Sequence, residues 1–451
     1  MTSEDWVKDV EFILRECARF RNDMNQLGAS TWLKTLSQED ALSFLPEPTG
    51  RGMMVCGRKA LGRINQLAHT AIRNSDAAGT LSVERVDANL RRILVSNFLS
   101  NNLPVDVDHV NAALTEAVNA AKQERADTTH YIPCRLSSAT TPNQFAVGPV
   151  LFRTRQTFSE VVDPLIEEID NRHATGGGNP KLYRTRIEEY YHAFDWAAEV
   201  TVLNCDAEIS EERARRAVGA AIDMLQVILG PHHARRMMAG GHARPHDGRA
   251  HLRLDAKGRP SMSYQWQSTS PVALDNLAEI LANQSIVALL ENAGRSIKPI
   301  VDASLSWPIS RRLVEAASWY GQAVREEFEA ARIVKAVTAL EHLLITNKKE
   351  RKRSTIVNRG AALAIRVDDS ADVAEWKGRL KRAYKLRSDL VHGSLSPFDA
   401  EVHQRSSWCV WMCAEILRSA LVGFAAGLDK DISDARLAVW FEKLVETPPA
   451  A

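Results

Sequence analysis

"LRSDLVHGSLSP", residues 386–397, decides how the C-terminal part of this chain is read. A helix ending at Val391 or His392 has its stop signal in Gly393, the residue type that accepts the left-handed conformation just past a helix C-terminus. Ser396, Pro397 and Asp399 then supply an N-cap, a first-turn proline and a capping-box acid for the next helix. Two helices joined at a tight antiparallel corner are therefore expected, with His392 at the apex. A histidine there faces the negative end of the helix dipole, which favours positive charge by roughly 0.3–1 kcal/mol when exposed, and Asp389, one turn earlier, acts in the same direction. Arg387 lies five residues back, about 140° round an ideal helix. Its long side chain must bend over the small Ser388 to share a site with the imidazole.

A permanent cation that grips phosphate, beside a titratable imidazole, is what in-line attack of a ribose 2′-hydroxyl on its own phosphodiester requires. That chemistry needs no metal and no cofactor. An Arg and a His at this separation also recur by chance, as a helix-end histidine next to an arginine paired with a surface acid, so the spacing alone decides little.

Outward from this corner the chain reads as helical from about residue 272. Apolar side chains recur at three- and four-residue steps in "VALDNLAEILANQSIVALLENAG" (272–294), "RRLVEAASWYGQAV" (311–324) and "EEFEAARIVKAVTALEHLLI" (326–345). "EWKGRLKRAYKLRSDLVHG" (375–393) and "PFDAEVHQRSSWCVWMCAEILRSALVGFAAG" (397–427) complete a C-terminal helical bundle. The same periodicity marks helices at 5–25, 58–75, 84–100 and 107–123. Between these regions the pattern changes to short β-prone runs, "HYIPCRL" (130–136), "FAVGPVLFRTRQTF" (145–158) and "EVTVLNC" (199–205), followed by a helix at about 210–229. Loops are expected at 174–181 and 230–251, the second leading into a hairpin that turns at "AKGRP" (256–260).

The fold class is thus mainly α. A helical N-terminal region (1–125) and a small α+β region (126–300) precede a helical bundle (301–430) and a C-terminal tail (431–451).

At 451 residues, with 45% hydrophobic and 25% charged side chains, the chain has the composition of a folded globular protein with several domains. Its first residues, "MTSEDWVKDVEF", are acidic and amphipathic, unlike a secretory signal, and no stretch approaches a bilayer span. No membrane partner is expected. The six cysteines, Cys17, Cys56, Cys134, Cys205, Cys409 and Cys413, form no CxxC pair and suit reduced thiols, so a cytoplasmic location is expected.

The net charge of +1 predicts no nucleic-acid partner by itself, but the bases are clustered. "KKERKR" (348–353) holds five bases and one acid, and "WKGRLKRAYKLR" (376–387) holds six bases and no acid. Lys381, Arg382 and Lys385 are candidates for lining an RNA backbone groove, and Tyr384, Trp376 and Trp408 for stacking unpaired bases. Helical spacing favours core positions for Trp408 and Trp411, and Cys409 and Cys413 read as buried small apolar residues. The histidines of the 230–251 loop (His232, His233, His242, His246 and His251) lack a completing cysteine or carboxylate set, so no metal site is assigned. The sequence carries no P-loop, GxSxG or HExxH motif.

Taken together, "ARIVKAVTALEHLL" (331–344), a basic connector, "LKRAYKLRSDLVHG" (380–393) and a long closing helix resemble the HEPN superfamily, and within it the Apea-like HEPN domain. Ala339, Leu340, Glu341, Leu343, Leu344, Tyr384, Arg387, Ser388, Val391, His392 and Gly393 match its pattern, and the likeness covers about residues 305–428. The resemblance implies a four- or five-helix bundle acting as a metal-independent endoribonuclease, paired as a homodimer in which two Arg-x4-His motifs meet. It implies His392 as general acid and base and Arg387 as the phosphate ligand; Ser388 and Asp389 are candidate polar helpers, and Glu341, on a neighbouring helix, either orients Arg387 or a residue of the corner, or is a helix-surface acid paired with a lysine at one-turn spacing. Ser388 departs from the Asn, Asp or His that many catalytic members place after the arginine. The substrate would be RNA such as tRNA or mRNA. Bacterial anti-phage, abortive-infection and toxin systems are the setting, with a regulatory protein or phage trigger as a further partner. The alternative is a non-catalytic HEPN module that binds RNA or a partner protein.

Overall fold

A computed structural model describes residues 2–27, 42–46, 53–138, 141–174, 189–191, 193–240, 246–254, 260–268, 276–366 and 372–446. The expected loop at 174–181 lies almost wholly outside these residues, as do His242 and the turn at 255–259; of His246 and His251 only the backbone is described. The protein is mainly helical, with small sheets, and divides into two compact units. One comprises Met1–Thr128 with Leu203–Glu212, the other Thr129–Val202 with Arg213–Ala451.

In the first unit, α1 (Ser3–Leu27) buries Val10, Ile13, Cys17 and Phe20, the stripe that its three- and four-residue spacing dictates. The strands β1 (Leu42–Pro46) and β2 (Met53–Gly57) pair antiparallel, with Phe44 opposite Val55. This hairpin was not expected in the helical N-terminal region: Met53–Gly57 is short, and its alternation is hidden in an apolar run leading straight into α2 (Arg58–Arg73). Next come α3 (Val83–Leu94), capped by the Ser82 side chain accepting from the Arg85 N–H, and α4 (Val107–Gln123), capped by Asp106 accepting from His109. The helix expected to run to residue 100 loosens at Val95–Ser100 into a π-helical turn. Ile64, Leu67, Leu90, Val110 and Ala117 fill the shared core.

The second unit holds most of a five-stranded sheet in the order β4–β5–β6–β3–β7. It is built from β3 (Ala126–Arg135), β4 (Gln144–Val147), β5 (Val150–Thr154), β6 (Trp196–Cys205) and the two-residue β7 (Met238–Ala239). Helix α5 (Arg155–Ala174) takes over "RQTF", read above as the end of a strand run, and α6 (Ala207–Leu229) follows β6. A helical turn at Pro231–Ala234 lies within the expected loop, with His232 and His233 exposed. The expected hairpin forms from β8 (His246–Leu254) and β9 (Pro260–Ser268), in register Leu254 to Pro260.

The bundle follows. Helix α7 (Leu277–Ala282) and α8 (Gln284–Val301) are separated at Asn283, whose side chain caps α8 by accepting from the Ser285 N–H. Then come α9 (Pro308–Arg325), α10 (Glu329–Leu344), α11 (Lys352–Ala364), α12 (Val373–Val391), α13 (Ala400–Gly423) and α14 (Asp434–Glu446). Helix α10 is the hub: it packs on α9, α11, α12 and α13. Its Ile333, Val337, Leu340 and Leu344 meet a core that includes Leu313, Leu363, Leu380, Ile416 and Leu417, each fully or almost fully buried. Each such side chain contributes roughly 1.5–3 kcal/mol of transfer free energy.

Two elements of the bundle differ from the sequence expectation. "KKERKR" is not only a connector, because Lys352 and Arg353 open α11. Residues 434–446, within the stretch assigned to a tail, form α14, whose Phe441 is buried beside Phe424.

Candidate active site

The helix that carries the motif, α12, is fixed by packing on α10 and α11. Gly360 on α11 allows the close approach, since a Cβ there would sit 3.0 Å from Leu380 Cδ1. The end of α12 is a full Schellman motif. The Gly393 N–H donates to the Leu390 carbonyl (3.4 Å) and the Ser394 N–H to the Asp389 carbonyl (2.8 Å), with Gly393 at φ +74° as the sequence required. His392 is the C-cap residue, and its backbone N–H donates to the Ser388 carbonyl (2.9 Å).

The next helix begins later than expected. Asp399, not Ser396, is the N-cap, its carboxylate accepting from the Glu401 N–H at 2.8 Å. Ser396 instead starts a turn closed by Asp399 N–H donating to its carbonyl (3.1 Å), and Pro397 lies in that turn rather than in the first turn of α13. The corner is consequently wider than a tight two-helix hairpin. Helices α12 and α13 lean on α10 and α11, and meet directly where the Trp376 and Trp411 rings stack, 6.1 Å apart.

Arg387 and Glu341 come together, one of the arrangements open to Glu341 above. Arg387 Nη2 lies 3.3 Å from Glu341 Oε1 and 3.4 Å from Oε2, and both side chains are mostly buried. Lys352 Nζ approaches the same carboxylate at 3.8 Å. Strong charge-assisted hydrogen bonds are shorter, about 2.7–2.9 Å. The guanidinium is therefore oriented by Glu341 through one nitrogen without a bidentate lock. Tyr384, one turn before Arg387, completes the group: burial and the Glu341 carboxylate raise its phenol, while Arg387 and Arg353 pull it down.

The other candidate residues sit elsewhere on the helix. Lys385 and Asp389 form an i,i+4 ion pair of 2.5 Å, about 200° round an ideal helix from Arg387. Asp389 is thus engaged by Lys385. Ser388 is half-buried, and Lys381 and Arg382 are exposed. His392 is exposed, and among the described residues its imidazole has no hydrogen-bond or ion-pair partner. Among the described residues, no hydrogen bond or ion pair joins Arg387 to His392.

The aromatic assignments also change. Trp376 is buried and Trp408 half-buried, but Trp411, expected in the core, is partly exposed and carries Arg379 5.7 Å from its ring centroid. Cys409 and Cys413 are buried, with the Cys413 thiol donating to the Ala336 carbonyl at 3.3 Å.

Sequence reasoning did not single out Lys352 as a partner of Glu341. The signal was present: Arg351, Lys352 and Arg353 crowd the start of α11, where no side chain caps the helix and its dipole disfavours cations.

Compared with family models, curated proteins and solved structures, the chain finds no significant match in any of the three.

Proposed function

We propose that this chain is a metal-independent endoribonuclease of the HEPN type. The 2′-hydroxyl oxygen attacks the adjacent phosphorus, the bond to the 5′-oxygen breaks, and the products carry 2′,3′-cyclic phosphate and 5′-hydroxyl ends. His392 accepts the 2′-hydroxyl proton or delivers one to the leaving oxygen, and Arg387 binds the non-bridging phosphate oxygens. The observation that carries this reading is the Arg387–Glu341 pair: a permanent cation aimed by a mostly buried carboxylate, yet bonded through one nitrogen at 3.3–3.4 Å. Such a cation is oriented but remains available to a phosphate.

The working form is a homodimer in which the corner of a second copy completes the site. Two features support it. Arg387 and His392 stand about 140° apart on an ideal helix, and no hydrogen bond or ion pair joins them among the described residues. Apolar side chains also crowd the corner: Phe398 is 85% exposed and Val391 51%, with the Phe398 ring 5.9 Å from that of Phe328. The substrate is tRNA or mRNA, the setting a bacterial anti-phage or toxin-type defence system, and the region before the bundle (1–300) answers to a regulatory protein or phage trigger.

A second reading, a non-catalytic module that binds RNA or a protein, is favoured by the unpartnered imidazole of His392 and by the engagement of Asp389 with Lys385. The deciding experiment incubates wild type, His392→Ala and Arg387→Ala with tRNA and total RNA in EDTA and identifies the new ends. Cleavage leaving cyclic phosphate, absent from both variants, is expected. Equal RNA binding by three proteins that cut nothing, with or without a second copy, would select the binding module.

A further inference from the structure

Glu341 has a second side. Besides holding Arg387, it lines a cleft of about 670 Å³ between the N-terminal part of α9 and the C-terminal end of α10, bordered by the start of α11. The size is that of a small-ligand pocket. In the cleft, Arg312 donates to the His342 and Ile345 carbonyls at 2.6 Å and pairs with Asp434 at 2.7 Å, while its Nε is buried without a hydrogen-bond partner among the described residues.

Four cations line the cleft, Arg311, Arg312, Lys348 and Lys352, against three carboxylates: Asp434 pairs with Arg312, Glu341 is approached by Lys352 as well as by Arg387, and Glu315 lies a loose 4.0 Å from Arg311 and 3.8 Å from His342. Arg311 and Lys352 are more than half exposed, and among the described residues the Lys348 ammonium has no hydrogen bond or ion pair. The surplus is positive and accessible. One wall also offers a ring. His342 stacks on Trp319, centroids 5.9 Å apart and planes 28° apart, and its side chain is still 42% exposed. Cations beside an exposed ring are the pairing that binds an unpaired nucleotide, phosphate to cation and base to ring.

We infer that this cleft is a second nucleotide subsite: it takes the phosphate and base of an unpaired RNA nucleotide near the one at Arg387, with Glu341 as the wall shared by both. The assignment of the occupant as the strand being cut rests on the ribonuclease reading; the cleft's preference for unpaired RNA does not. A base can lie on His342 only after leaving its partner strand, so the substrate class is single-stranded RNA or a loop.

The test measures binding, not cleavage. Full-length His392→Ala, with and without Arg311→Glu or Lys348→Glu, is titrated against a short fluorescein-labelled unpaired RNA in EDTA at several salt concentrations. Both added substitutions are on exposed side chains, and an unchanged melting temperature checks the fold. Each charge reversal is expected to weaken binding about tenfold and to lower the slope of log K against log salt by about one or more, and a duplex of the same sequence should bind less tightly. Unchanged affinity and slope in both variants, equal affinity for the duplex, or no RNA binding at all would overturn the subsite. A wild type that cuts nothing but loses affinity on charge reversal leaves the subsite standing and removes the ribonuclease reading; cutting with unchanged affinity does the reverse.

Discussion

Arg387 on α12 and Glu341 on α10 face each other across the bundle, Nη2 to Oε1 at 3.3 Å, with Lys352 of α11 approaching the same carboxylate at 3.8 Å. Three helices thus converge on one acid. Glu341→Gln keeps its shape and removes its charge, so Arg387 loses the field that aims it while the packing around Leu340 and Leu344 stays. Under the ribonuclease reading, kcat should fall about tenfold, equivalent to about 1.4 kcal/mol of transition-state stabilisation, with KM and melting temperature little changed. Equal turnover by the variant would remove Glu341 from the site.

Gly393 stands at φ +74° in the Schellman end of α12. Gly393→Ala puts a Cβ in the left-handed region and should cost roughly 1–2 kcal/mol of stability, read as a lower urea midpoint. Nothing lies within 4 Å of that Cβ, so the loss comes from the backbone and not from a clash. A midpoint equal to wild type would mean that the corner relaxes around the substitution.

Phe398 is a large apolar side chain left 85% exposed beside the motif. If a second copy covers it, Phe398→Asp should convert a dimer to a monomer in analytical ultracentrifugation and abolish cleavage without lowering thermal stability. A wild-type monomer that cuts RNA at the same rate over a wide concentration range would sink the two-copy site.

The bundle was legible because its helices are long and periodic, and the Gly393 stop because one residue type serves that conformation. Helix α11 was not. Its opening, Lys352-Arg353-Ser354, is basic where helices prefer acids, so the local signal opposed the tertiary outcome. The Ser396-Pro397 pair fits a helix start as well as a turn, and only the Asp399 cap decides between them. In the site, motif spacing located Arg387 and His392 along the chain. It could not show that Lys352 of α11 approaches the same Glu341 carboxylate that Arg387 meets, because that depends on how α10 and α11 pack.

A buried acid gives the second unit a pH dependence of its own. Asp223 on α6 is paired with Arg325 of α9 at 2.8 Å, and Gly321 makes room, since a Cβ there would overlap the carboxylate. Burial pushes the carboxyl up to about 6 from an ordinary 3.8, against the pull of Arg325. The sign follows from proton binding: between those values the folded state holds the proton more tightly than the unfolded chain, so stability falls as pH rises from about 4 to 6 and levels off above. A shift of this size corresponds to about 3 kcal/mol. Asp223→Asn cannot ionise and still offers Arg325 an oxygen acceptor. Urea unfolding of both proteins followed by tryptophan fluorescence at pH 4, 5, 6 and 7 should show wild type losing ground to the variant across that interval, on top of any constant offset. A difference that does not move with pH would mean that Asp223 titrates as an ordinary carboxylate and that Arg325 fully compensates its burial.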